Sequence, residues 1–139
     1  MPRRDNTVLA SKVRLRQAVL NEHLGSPLIF EAYGGEGRIW RRAYSAFDRG
    51  IVCDIRPDRC DVLAQQRPAW AVYQCEVEAA IRGGLGSDQL ITLLDLDPWG
   101  SSWGVLGAWF SSIRLRADPF WVVAHDGMRQ FLMRGGAGR

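Results

Sequence analysis

The sequence predicts an open α/β fold, a mostly parallel sheet of about five strands flanked by helices. Five short apolar runs, at 28–32, 50–54, 70–74, 90–95 and 120–124, show no polar alternation. Helical patterns separate them, and turns rich in glycine or proline mark many of the junctions. Runs without alternation belong to strands covered on both faces, and a helix between successive strands is the connection that parallel pairing requires.

Each element follows from local signals. The pattern over 7–22 places Val8, Leu9, Val13, Leu15, Val19 and Leu20 in a broad apolar stripe, with Asn6 or Thr7 as the cap and Gly25-Ser26-Pro27 as the stop. The strand at 28–32 runs into Tyr33-Gly34-Gly35-Glu36-Gly37, and a helix is expected from there through Phe47. The second strand, 50–54, leads to a helix over 57–67 that starts with Pro57, a residue suited to a first helical turn. After the third strand, 70–74, come a short helix near 77–81, a glycine turn at 82–86 and the fourth strand, 90–95. A helix over 102–112 precedes the fifth strand, 120–124, and 128–134 has the makings of another helix. The expected organisation is one domain over 1–139, with a helical extension (1–26), a core (27–126) and a short tail (127–139).

Composition narrows the class. A chain of 139 residues, 47% of them hydrophobic, is long enough to build a core without metal or disulfide staples. It has no apolar run of 18 residues for a membrane span, and its basic start lacks a signal-peptide core, so a cytoplasmic location is expected. Cys53, Cys60 and Cys75 form no C-x-x-C pair, and with only His23 and His125 no zinc spacing exists, so no metal centre is expected. Of the 18 basic residues, 17 are arginines and only Lys12 is a lysine. Arginine forks suit phosphates and stack on bases, which permits a nucleic-acid partner, although a net charge of +3 does not demand one.

An open parallel sheet binds its ligand beyond the C-terminal ends of its strands. That rule points to the turns at 31–37, 54–56, 74–76 and 95–100. Gly35 and Gly37 let main chain approach a ligand closely, although glycine turns between strand and helix are common and the full G-x-G-x-x-G pattern is absent. Asp54, about 20 residues on, suits the two hydroxyls of a ribose, or equally a helix cap. Glu76 suits an adenine amino group, with Val77 beside it for apolar contact; an acid there is also what a helix dipole favours.

The sharpest feature is Asp95-Leu96-Asp97-Pro98-Trp99-Gly100. Methylating an exocyclic amine requires its lone pair to be drawn out of the base. A carboxylate and a main-chain carbonyl accepting the two amino hydrogens do this, while a stacked ring fixes the base plane. Asp97, the Pro98 carbonyl and Trp99 are the candidates. Alternation places Asp95 and Asp97 on one side, so a divalent cation is a competing reading, and a capped strand-end turn with a core tryptophan is a third. Trp103, Leu106, Trp109 and Phe110 have the spacing of a core-facing helix stripe, with Trp103 nearest the proposed acceptor site. Trp40, Arg41 and Arg42 adjoin the glycine turn and suit a phosphate or a solvated helix face. Arg38 suits a carboxylate, and His125-Asp126 ends the fifth strand on the same rim.

These motifs resemble those of class I S-adenosylmethionine (SAM)-dependent methyltransferases, and within them the branch acting on nucleobase amino groups. Glu31-x-Tyr33-x-Gly35-x-Gly37 is similar to that branch's acidic-x-aromatic-x-Gly-x-Gly turn, and Asp97-Pro98-Trp99-Gly100 to the Asp-Pro-Tyr-Gly signature of tRNA guanine-N2 dimethyltransferases. The resemblance covers roughly 7–126. It implies a Rossmann-like methyltransferase fold with SAM held by Glu31, Tyr33, Gly35, Gly37, Asp54, Glu76, Val77 and Asp95. It implies an acceptor site of Asp97, Pro98, Trp99, Gly100 and Trp103, and RNA rather than DNA as the substrate. The 13 residues after Asp126 are too few for the antiparallel sixth and seventh strands of that fold. The expected sheet therefore lacks them and exposes an edge through which the chain could pair with another copy. A methyltransferase-like module that only binds or assembles is the alternative.

Overall fold

A computed structural model of the chain describes residues 6–126. It contains five strands, β1 (Ile29–Glu31), β2 (Gly50–Asp54), β3 (Ala71–Gln74), β4 (Leu93–Leu96) and β5 (Trp121–Ala124). All pair in parallel, in the order β3-β2-β1-β4-β5. The α-helices are α1 (Asn6–Glu22), α2 (Pro57–Gln66), α3 (Val77–Arg82) and α4 (Trp103–Ser111). The order reverses beside β1, so crossovers leave β1 and β4 in opposite directions and open a crevice above their C-terminal ends.

Two apolar layers sandwich the sheet. On one face Phe30, Ile51, Cys53, Leu94 and Leu96 pack with Val77 and Ile81 of α3 and Val105, Ala108 and Trp109 of α4. On the other, Ile29, Val52, Leu93 and Val123 pack with Tyr44, Leu63 of α2 and Trp70. Gly34 sits where β1 turns beneath α2; a Cβ there would lie 2.6 Å from both Leu63 Cδ1 and Val52 Cγ2, so only glycine permits this approach.

Three sequence expectations are corrected. β4 begins at Leu93, not Leu90. Before it the chain turns, and Thr92 Oγ1 accepts the Leu28 N–H at 3.0 Å while the Thr92 N–H donates to the Leu28 carbonyl at 2.9 Å, capping the sheet from below. The helix expected through Phe47 is short and becomes a π-helix over Trp40–Tyr44, which turns the Tyr44 hydroxyl inward to Asp95. β3, expected as a covered strand, is largely exposed, as an edge strand is. The helix expected at 128–134 lies outside the described residues. Among the described residues no helix is long and apolar enough to cross a membrane.

Candidate functional site

A cleft of about 1110 Å³ lies above the C-terminal ends of the strands. Its walls bring together Glu31, Tyr33 and Gly35 from the first turn, Asp54 from the second, Glu76 and Val77 from the third, and Asp97, Pro98 and Trp99 from the fourth. Arg38, His125 and Lys12 also border it. The described Gly37, Asp95, Gly100 and Trp103 do not line it.

The half of the cleft above β1–β3 is braced by main chain. Gly35 has φ +57°, and a Cβ built on it meets nothing within 4 Å, so the cleft reaches bare main chain at this point. Its N–H donates to Asp54 Oδ2 at 3.0 Å, and the Arg56 N–H donates to Asp54 Oδ1 at 2.9 Å. Arg59 stands 3.8 Å from Asp54 Oδ2. Gly37, at φ +74°, closes the turn: its N–H donates to the Gly34 carbonyl, and a side chain there would collide with Gln66. Glu76 caps α3, accepting the N–H groups of Glu78 and Ala79 at 3.1 and 2.8 Å. Glu76 thus also serves as a helix cap, whereas Asp54 does not cap α2 and instead ties the Gly35 turn to Arg56. An ionised carboxylate has about four acceptor sites, so each keeps capacity toward the cleft.

Glu31 differs from expectation. Its side chain is 5% exposed and pairs with Arg67, whose guanidinium lies between the rings of Trp40 and Trp70, 4.9 and 4.8 Å from their centroids. Burial pushes the Glu31 carboxyl up to about 7, against the pull of Arg67. Glu31 therefore props the floor of the cleft and presents little of itself to a ligand. Trp40, a candidate for phosphate, is instead committed to this stack.

The half above β4 and β5 is held by α1. Arg16 donates from Nε and Nη2 to Asp95 Oδ2 and Oδ1, each at 2.7 Å, and Tyr44 donates its hydroxyl to Oδ2. Arg16 and Asp95 are 0% and 2% exposed. Asp95, read as a cofactor ligand, is thus sealed beneath the cleft with every oxygen occupied. Burial and the adjoining Asp95 raise the Tyr44 hydroxyl, keeping it a donor. Arg16 Nη1 also lies 2.7 Å from His125 Nε2. Arginine only donates, so Nε2 accepts and the ring proton sits on Nδ1. Burial and Arg16 lower the His125 value, keeping the ring neutral.

Asp97 remains at the surface of the cleft. Lys12 Nζ donates to its Oδ1 and Oδ2 at 2.7 and 2.9 Å, with the two side chains 27% and 18% exposed. The two aspartates face one side, as alternation requires, but each is matched by a cation of α1 and not by further acids. Trp99 is 89% exposed and free to stack. Trp103 is 72% exposed but lies off the cleft, and Phe110 is likewise exposed, so only Trp109 of that stripe is fully buried. No local pattern in the sequence marks Lys12, Arg16, Tyr44 and Arg67 as site residues, since each acts across a long stretch of chain.

No protein-family model and no curated protein matches the sequence. Among solved structures, the chain is similar to the C-terminal domain of precorrin-6Y C5,15-methyltransferase from Rhodobacter capsulatus, with a TM-score of 0.56 and 18% identity, covering 89% of this chain and 69% of that one. The fold is that of a methyltransferase domain. In an open parallel sheet of this order, the cleft above β1–β4 is the place where the ligand is expected to lie.

Proposed function

We propose that the chain is a SAM-dependent methyltransferase that transfers a methyl group to an exocyclic amino group of a nucleobase, with RNA favoured over DNA. The observation that carries the reading is the single cleft shared by the Gly35 turn, Asp54 and the Asp97-Pro98-Trp99 turn. The residues fit the cofactor. Gly35 leaves open space where a side chain would stand, and Asp54 keeps acceptor capacity for two ribose hydroxyls. Tyr33, Glu76 and Val77 offer a partly apolar wall with a carboxylate for an adenine amino group.

When bound, SAM supplies a methyl group on a positively charged sulfur, already activated for transfer. The chain's contribution is position and polarity. Asp97 and the Pro98 carbonyl accept the two amino hydrogens and draw the nitrogen lone pair out of the base, and Trp99 stacks on the base plane. His125, neutral and fixed by Arg16, adds no positive charge beside the acceptor.

The test is transfer of labelled methyl from SAM to an RNA pool, with the modified base identified by mass spectrometry. Loss of the orienting carboxylate in Asp97→Ala is expected to lower transfer about a hundredfold, the scale of a misplaced reactant. Retained transfer in Asp97→Ala rules out the role given to Asp97. Absence of both transfer and cofactor binding in folded wild type favours the alternative, a module that binds or assembles without catalysis.

A further inference from the structure

Lys12 and Arg16 stand one turn apart on α1 and reach two aspartates that stand two residues apart on and just beyond β4. The buried pair, Arg16 with Asp95, uses the planar fork that suits a carboxylate best. The pair open to the cleft, Lys12 with Asp97, uses the only lysine in a chain with 17 arginines. A guanidinium would serve a purely structural pair at least as well, and it gives up a proton far less readily than an ammonium does. The Lys12 Nζ lies 2.7 and 2.9 Å from the two oxygens of Asp97, the carboxylate that in the reading above receives one hydrogen of the acceptor amine.

We propose that Lys12 Nζ occupies the acceptor position and is itself a methylation site of this chain, an inference that rests on the methyltransferase reading. Lys12 gives one proton to Asp97, which passes it to water at the open side of the pair. The freed nitrogen lone pair forms a bond to the methyl carbon of SAM. The carbon–sulfur bond breaks, its electron pair stays on sulfur, and the products are N-methyl-lysine and the neutral thioether S-adenosylhomocysteine. The cycle can repeat while an N–H remains. A nucleobase amine entering the site has to displace Lys12 first.

The full chain is incubated with SAM, and the peptide carrying Lys12 is examined by fragmentation mass spectrometry while SAM binding to the same preparation is measured by calorimetry. One to three methyl groups on Lys12 are expected, at a fractional rate independent of protein concentration. None is expected in Lys12→Arg, and about a hundredfold less in Asp97→Asn, whose amide no longer takes the proton. A readout free of turnover accompanies it: bound S-adenosylhomocysteine is expected to slow the labelling of Lys12 by an acylating reagent. SAM binding with an unmethylated Lys12, methylation that scales with protein concentration, or labelling indifferent to the bound product overturns this inference alone. Absence of SAM binding overturns the methyltransferase reading and this inference with it.

Discussion

At the ends of β2 and β3, Asp54 and Glu76 are held by main-chain N–H groups from residues no more than 19 positions away. At the end of β4, Asp95 and Asp97 are held by Arg16 and Lys12, 79 and 85 positions away. Apart from the buried Glu31–Arg67 pair in its floor, the first half of the cleft is therefore assembled by its own turns, while the second exists only when α1 has docked on the sheet. Local bracing resists single substitutions, because each hydrogen bond contributes little. A buried long-range ion pair fails abruptly when one partner is lost.

The largest expected effect follows from that difference. Arg16→Met leaves the Asp95 carboxylate buried without its cation, a loss on the order of 3–5 kcal/mol in chemical denaturation. Adding Asp95→Asn to it is expected to recover much of the loss, since the amide oxygen still accepts from Tyr44. A small effect of Arg16→Met alone would show that α1 is not a structural partner of the acceptor half.

This contrast also marks how far the sequence could be read. The strands expected at 50–54 and 70–74, the helix start at Pro57 and the acid that a helix dipole favours at Glu76 depend on neighbours in the chain, and β2 in particular appears with the bounds expected. The commitment of Asp95 to Arg16 and of Glu31 to Arg67 depends on which helices land on which face. An acid at a strand end looks alike in sequence whether it meets solvent, ligand or a buried arginine. Asp95 was misread for that reason, and Trp103 because helical spacing specifies a shared face but not the direction it points.

A smaller effect separates Glu31 from the ordinary carboxylates of the cleft. Its folded value of about 7 lies above the ordinary 4.5, so the folded state favours the protonated form. The stabilisation from protonation is complete below about 4.5 and is lost as pH rises to about 7. In Glu31→Gln this dependence vanishes, so the wild-type stability relative to the variant is expected to fall by about 3 kcal/mol across the window. A difference that stays flat or rises with pH would place Glu31 among the ionised, salt-bridged carboxylates instead. Asp54→Ala, which removes only short-range bracing, is expected to cost about 1 kcal/mol of stability.

Calorimetric titration of the folded chain with SAM tests the central claim most directly, that the locally braced half of the cleft is a cofactor site. Wild type is expected to bind, Asp97→Ala to bind equally well, and Asp54→Ala to bind roughly 10–100-fold more weakly, the scale of lost hydrogen bonds to a charged group. No binding by folded wild type, or unchanged affinity in Asp54→Ala, would contradict it.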